Sequence, residues 1–434
     1  MSQEPNSPLT GEPPAKKERL GSLDAFRGFT IFGMILVIAV AAGGYQWEPE
    51  HLPQKMSWMG SLPVSTWFHA DVGGMLWIQE QEAAGLTEDE IRALPEYQRR
   101  NIGVTFTDLI APWFVFIVGV CVPLSRARRG GAWWAHVGPR TIMLIVAGIA
   151  YISLVIQQIS WWWGVLQAIG VAYFCAALTA RLPSMWRWIA VFGLAGLNLI
   201  MTEFTTWWTG AWKDIDAPFG TLTNPEGNWF RPLTIHCLPW LSLSYGVMAM
   251  IGVLVGEEVI TKDRQRIVKR CLLTGLLFVA LGYIIHRIGF ATENFSLSFN
   301  KPDVSTSYAF FTAGLGALAF LGFYWVIDVM KIGRWALPFA VFGVNPLLAY
   351  FMMIVQRRVL EVLGLIGIFN RVTEDNTFVQ NWASLLGRAG EKSDLVLAFF
   401  HKGGYMGLNW GLVYTALLWL VVLWFNRRNI FWKL

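Results

Sequence analysis

The sequence predicts an all-α polytopic membrane protein, a bundle of about ten transmembrane helices, and three observations carry that prediction. Only 15% of the 434 residues are charged and 55% are hydrophobic, whereas a soluble chain carries roughly 25% charged residues. Apolar runs of about 20 residues, the length that crosses a bilayer, recur along the chain. They are apolar on both faces rather than alternating, which favours helices over the strands of a barrel. Lys and Arg gather in every second connection, the pattern expected of cytoplasmic loops.

Taken in order, residues 1–19 read as a polar, proline-bearing, disordered cytoplasmic tail. They lack the short apolar core and small-residue cleavage site of a signal peptide. Residues 20–434 read as one transmembrane domain, with spans near 24–44, 105–124, 138–157, 161–180, 186–202, 236–256, 270–288, 307–328, 335–355 and 408–426. Lys16, Lys17 and Arg19 precede the first span, and Arg126, Arg128 and Arg129 follow the second. Arg181 and Arg187, then Lys262, Arg264, Arg266, Lys269 and Arg270, then Lys331 and Arg334, and finally Arg427, Arg428 and Lys433 mark the later cytoplasmic ends. Both termini are therefore expected in the cytoplasm, and the protein in the inner (cytoplasmic) membrane. The opposite face takes the longer connections, 45–103, 203–235, 289–306 and 356–407. Within the first, residues 71–103 form an acidic extracytoplasmic insertion bearing Glu80, Glu82, Glu88, Asp89, Glu90 and Glu96. Within the last, the apolar stretch at 359–369 is too short to span and reads as an interfacial or re-entrant helix.

Several classes are disfavoured. No glycine-rich nucleotide fingerprint, zinc spacing or nucleophile elbow is present. The basic residues follow membrane sidedness, so no nucleic-acid partner is expected, and no metal is expected. Cys121, Cys175, Cys237 and Cys271 fall in or beside spans and read as packed small hydrophobes. No internal repeat supports an inverted-repeat transporter, and no GxxxG interface motif stands out.

The residues able to carry chemistry are few. His69, in STWFHA, lies just ahead of the second span; an imidazole there can accept a proton or act as a nucleophile. It is equally a loop histidine held for structure, and His51, His136, His236, His286 and His401 suggest less. Asp108 opens the second span in TFTDL. It is either an acid in the first turn of a helix, favoured by the helix dipole, or a carboxylate that orients His69 across a 39-residue separation. Asp24 and Arg27, spaced i and i+3, can pair. Asn300 and Lys301 precede Tyr308 at the head of the eighth span, and a lysine on that face calls for a ligand or an acidic partner. Asn345, before Pro346, is an intramembrane amide suited to a kink or to a substrate. Gln167 in GVLQAIG can bond between helices.

These pieces, in order, resemble the transmembrane acetyltransferase family of heparan-alpha-glucosaminide N-acetyltransferase and its bacterial relatives. The matching stretches are RLGSLDAFRGFTIFGMILV, STWFHA, TFTDLIAPWFVFIVGV, WWWGVLQAIGVAY, NPEG, FNKPDVSTSYAFFTAGLGALAFLGFYWVIDV, FAVFGVNPLLAY and the terminal NIFWKL. The resemblance runs from Arg19 to Leu434. It implies acetyl transfer from cytoplasmic acetyl-CoA to the amine of a glucosamine-type sugar or glycan on the far side of the bilayer. By that resemblance His69 is the acetyl acceptor or general base and Asp108 its acid. Asn300, Lys301, Tyr308, Asn345 and Gln167 would line the amino-sugar pocket, and a homodimer is compatible with the family. Charge and sidedness further place the CoA phosphates near Arg27, Arg126, Arg128 and Arg129. A transporter or permease for a sugar-like solute on the same scaffold, and a non-catalytic membrane partner, are the competing readings.

Overall fold

A computed structural model describes residues 20–42, 81–94, 96–97, 102–156, 159, 163–204, 241–301, 304–364 and 406–432. Among them the chain is helical throughout, and the one β feature is an isolated bridge between Ile102 and Asn300. The helices are α1 (Gly21–Ala42), α2 (Glu88–Ala93), α3 (Phe106–Arg129), α4 (Trp133–Ile156), α5 (Val165–Ala180), α6 (Ser184–Phe204), α7 (Ser242–Ile260), α8 (Arg264–Ala291), α9 (Thr306–Phe323), α10 (Leu337–Val344), α11 (Pro346–Val362) and α12 (Met406–Arg427). The tail at 1–19, His69 and most of the loop around it lie outside the described residues.

The count of ten spans is not reached. Six helical stretches of the described chain are long and apolar enough to cross a membrane, or seven if one bent pair counts as a span. The α3 and α4 helices, two expected spans, run on as one apolar stretch, Phe106–Leu154, and Gly411–Arg427 in α12 is a shorter apolar helix. The α5 helix is a shorter apolar helix of 16 residues. The expected ninth span is broken at Asn345–Pro346, where α10 and α11 meet at 77°. Proline supplies no N–H to continue the ladder and its ring clashes with the preceding turn.

The ends of several helices follow from their sequences. Asp263 caps α8, its Oδ1 accepting from the amides of Gln265 (2.9 Å) and Arg266 (3.3 Å). Ser305 caps α9 through the amide of Tyr308 at 3.3 Å. The described part of the acidic insertion holds the short α2, whose N-terminus is a reciprocal capping box. The Thr87 amide donates to Glu90 Oε2 at 2.8 Å and the Glu90 amide donates to Thr87 Oγ1 at 3.4 Å. The backbone and hydroxyl hydrogen bonds from Thr87 hold the Glu90 carboxyl below the usual carboxylate range.

The core is organised around α7. Of its apolar window 78% is buried, against 22% for α6 and 28% for α8, so α7 is central and the other two face outward. Its neighbours are α3 and α5, while α8 lies along α9, and α1 along α10 and α12. One apolar cluster joins α3, α5, α7, α8 and α9 around Phe116, Ala176, Met248, Phe278 and Phe320. A second joins the far half of α1 to α10, α11 and α12 through Ile35, Phe342, Met353 and Leu418. The outer face of α8 presents Leu272, Leu273, Leu276, Ile284 and Ile288. A helix apolar on its outside as well as its inside belongs in lipid.

Lipid tails are as apolar as leucine, so burial alone gives helices little reason to associate within a bilayer; close packing must do so. Here glycine permits it. A Cβ on Gly119 would overlap the carbonyl of Ala249, one on Gly252 the carbonyl of Phe116, and one on Gly256 the carbonyl of Val120. Gly252-Val-Leu-Val-Gly256 is thus a GxxxG motif, passed over in the sequence because nothing marks its partner, and it works within the chain. The same device joins α1 to α10, where a Cβ on Gly28 would overlap Phe339 O and one on Gly343 would overlap Asp24 O.

Replacing Gly119 or Gly252 with Val is expected to lower the thermal unfolding temperature in detergent, overpacking costing about 1–3 kcal/mol or more. Gly193→Ala, at a position with open space around it, should leave the transition unchanged. Equal tolerance of both substitutions would refute the close α3–α7 contact.

Candidate active site

The helices present two dissimilar ends. At one, the starts of α3 and α9 meet the end of α8, and three segments distant in sequence converge. Asp108 stands in the first turn of α3, fully buried. Its Oδ2 accepts from the amide and the hydroxyl of Thr105, each at 3.0 Å. Its Oδ1 lies 3.6 Å from Nζ of Lys301, whose side chain is 14% exposed. That is an ion pair at long range rather than a hydrogen bond. The carboxylate also faces the positive end of the α3 dipole, which favours its charged form.

Tyr308 completes the group in a way the sequence hides. Pro112 has no N–H, so it cannot satisfy the carbonyl one turn earlier, which belongs to Asp108. The buried Tyr308 hydroxyl donates to that carbonyl at 2.6 Å. The proline in α3 and the tyrosine of α9 are therefore one feature.

The loop before α9 is tied to the residues before α3. The Gly103 amide donates to Phe299 O at 2.9 Å, and Asn300 bridges Ile102. Ser305 closes the loop on itself, accepting from the Asn300 amide at 3.2 Å and donating to Ser298 O at 2.8 Å. Val304, buried and at φ 46°, makes the reversal. On the α8 side, Phe299 donates its amide to Nδ1 of His286 at 3.1 Å, and the two rings stack 4.0 Å apart with 5° between their planes. Asp108, Asn300, Lys301 and Tyr308 thus come together. Thr105, Ser305, Pro112 and His286 belong with them and were not singled out in the sequence. Thr105 had a signal, the T-x-x-D capping pattern.

Two other candidates lie apart. Gln167 is buried in the first turn of α5, where its Oε1 accepts from the Gly164 amide at 3.1 Å, and its side chain lies against Gly148 of α4. Asn345 sits in the α10–α11 break with its amide occupied by the chain's own end. Nδ2 donates to Asn426 Oδ1 (3.3 Å) and Ile430 O (2.9 Å), and Oδ1 accepts from the Trp432 amide at 3.1 Å.

The opposite end of the bundle is made of short connections rich in arginine. Glu257 of α7 lies 3.1 Å from Arg187 and 4.0 Å from Arg126, and Arg126 also donates to Ala180 O. Arg270 pairs with Glu258 at 2.7 Å, and Arg27 with Asp24 at 3.1 Å. Arg128 and Arg129 are exposed. Arg140 of α4 lies with its guanidinium 5.1 Å from the centre of the Tyr173 ring, and the charge of Arg27 acts on it. Of the four arginines expected to meet CoA, Arg126 is already tied between helices.

Fold and site define a helical membrane protein with a buried acid–lysine–tyrosine group at one end and a basic rim at the other. The chain is similar to the human heparan-alpha-glucosaminide N-acetyltransferase, 27% identical over 321 residues that take in 57% of this chain. The match covers 47% of that protein, so the chain spans about half the length of the curated relative it matches. This supports a distant relationship. No protein-family model matches the sequence.

Tyr308→Phe would leave the Asp108 carbonyl buried without its donor, a loss of about 1–3 kcal/mol. Lys301→Met would leave the Asp108 carboxylate without its cation, with a cost of about 3–5 kcal/mol expected for a broken buried pair. Thermal unfolding of each variant in detergent checks both. A Tyr308→Phe protein as stable as the parent would show that the proline-freed carbonyl finds another donor.

Proposed function

We propose that this chain is a membrane-embedded acetyltransferase. It takes acetyl-CoA at the basic end and transfers the acetyl group to the amine of a glucosamine-type sugar at the Asp108 end. The observation that carries the reading is the convergence of Asp108, Lys301 and Tyr308 at the head of α3. This is the first described helix long enough to span the membrane after the His69 segment, and the human relative bears the name of an N-acetyltransferase.

The chemistry asks for few groups. An amine attacks a thioester only with its lone pair free, so a base must take the proton that the nitrogen sheds. His69 is assigned that role, or that of the nucleophile that first receives the acetyl group. In the direct route the C–N bond forms as the C–S bond breaks, the thiolate of CoA leaves, and the imidazole carries the released proton. Asp108 is assigned the orienting of His69 and the stabilising of its charged form, as the acid of a triad does. Its Oδ2 is held by Thr105 and its Oδ1 by Lys301, so its orientation is set before substrate arrives.

The CoA diphosphate fits the basic rim by charge. Arg128 and Arg129 are the exposed members, with Arg27 and Arg140 inward of them, while Arg126 serves the Glu257 pair. The transport reading draws on one observation, the α10–α11 break, since discontinuous helices are used to hold solutes. In this chain the Asn345 amide at the break is engaged by Asn426, Ile430 and Trp432, which favours the enzyme.

The test uses purified protein, labelled acetyl-CoA and a panel of amino sugars. Product should form with the parent and fall by about 10²–10⁴-fold in His69→Ala. Product unaffected by that substitution would remove His69 from the chemistry. Movement of sugar across vesicles with no acetylated product would replace the enzyme with the transporter.

A further inference from the structure

The remaining histidine of the described site has a geometry that invites its own account. His286 projects from the last turns of α8, and its Nδ1 accepts the Phe299 amide at 3.1 Å while its ring lies flat on the Phe299 ring. A ring nitrogen that accepts carries no proton, so this imidazole is neutral with its hydrogen on Nε2. The peptide units on either side of Phe299 form a strut between elements. Its N–H goes to α8, and its carbonyl accepts from Gly103, five residues before Asp108. Two residues after Phe299 stands Lys301, whose ammonium faces Asp108.

We propose that His286 is a positioning residue whose neutral imidazole holds the segment from Ser298 to Lys301, and with it the Lys301 ammonium, against Asp108. Protonation of His286 releases that segment. In the imidazolium both ring nitrogens are donors, so Nδ1 would meet the Phe299 N–H donor to donor. Phe299 is 7% exposed and the ring covers it, so the freed N–H has no ready access to water. The loop would then part from α8 on the side that leads to Lys301.

Among the described residues, these are the charged and titratable groups near the imidazole. Arg287 and Tyr283 share its helix and Glu293 stands in the turn that follows. The loop contributes Lys301, and across it lie Asp108 of α3 and Tyr308 of α9. Arg287 is the charge that acts on His286. The rings of Phe290 and Phe299 contact the imidazole, edge-on and stacked respectively.

The structural half of this inference stands without the acetyltransferase; the catalytic half rests on that reading. The test compares the parent with two variants in detergent by amide hydrogen exchange, following peptides that contain the Phe299 amide. His286→Asn places an amide oxygen where Nδ1 accepts but cannot titrate; His286→Leu has no acceptor. Comparing proteins at one pH cancels the intrinsic exchange rate. At about pH 5, where an ordinary imidazole is charged, the parent should exchange about tenfold faster than His286→Asn, the loss of one hydrogen bond. At about pH 7.5 the two should match, and His286→Leu should be fast at both. Equal exchange of parent and His286→Asn at the lower pH would overturn the proposal, as would slow exchange in His286→Leu. In the acetyl-transfer assay the acid limb of the pH profile should shift down in His286→Asn. If exchange behaves as expected while the parent yields no acetylated product at any pH, the loop device stands and the acetyltransferase reading falls.

Discussion

Helix backbones in this chain touch, and the rest of the structure depends on that contact. Membrane helices gain little from burying apolar surface that lipid would cover as well. What draws α3 onto α7 is therefore the close approach allowed by Gly119, Gly252 and Gly256. That contact fixes α3 beside the most buried helix of the bundle and so fixes the level of its first turn. Asp108 sits in that turn. Gly28 and Gly343 repeat the device between α1 and α10, and α1 contributes to both apolar clusters.

The buried carboxylate is costly in such a place, and its surroundings show how the cost is met. Two hydrogen bonds from Thr105, the α3 dipole and the Lys301 ammonium all oppose the desolvation of its charge. They come from two stretches of chain, the head of α3 and the segment carrying Lys301, that must both be in place. Pro112 adds a second dependence. By freeing the Asp108 carbonyl it makes the hydroxyl of Tyr308 necessary, so α9 is needed to complete α3. A group assembled this way has little freedom.

The two ends of the bundle divide their labour by charge. Acid, lysine, serines and an imidazole gather where α8, α9 and α3 meet, while arginines and glutamates gather at the short connections. Part of the basic rim is consumed in structure, as Arg126 and Arg187 share Glu257. The C-terminal residues are likewise structural. Asn345, Asn426, Ile430 and Trp432 bond one another, and Asn426 also donates to Val341 O at 2.8 Å. An intramembrane asparagine and the Ile430–Trp432 segment after α12, which look unrelated in the sequence, are partners.

By itself the sequence determined the helical membrane class, because twenty-residue apolar runs with few charges have no other stable form in which every backbone group is bonded. It also determined pairs set by local spacing, such as Asp24 with Arg27, and it pointed to Asp108, Lys301 and Tyr308 as residues of interest. Which of these meet was decided only by the tertiary structure. The link between Asp108 and Tyr308 spans 200 residues and exists because Pro112 frees one carbonyl at the depth where α9 begins. The separate placement of Asn345 and Gln167 was also beyond the sequence, since an amide suited to a substrate and one suited to a helix end are the same residue. The count of ten spans is not confirmed among the described residues, where the bend at Asn345 divides one expected span and α5 is a shorter apolar helix, features of backbone geometry that hydropathy does not carry. Long-range contacts between helices depend on which faces touch, and in lipid the apolar pattern that marks faces in water is absent.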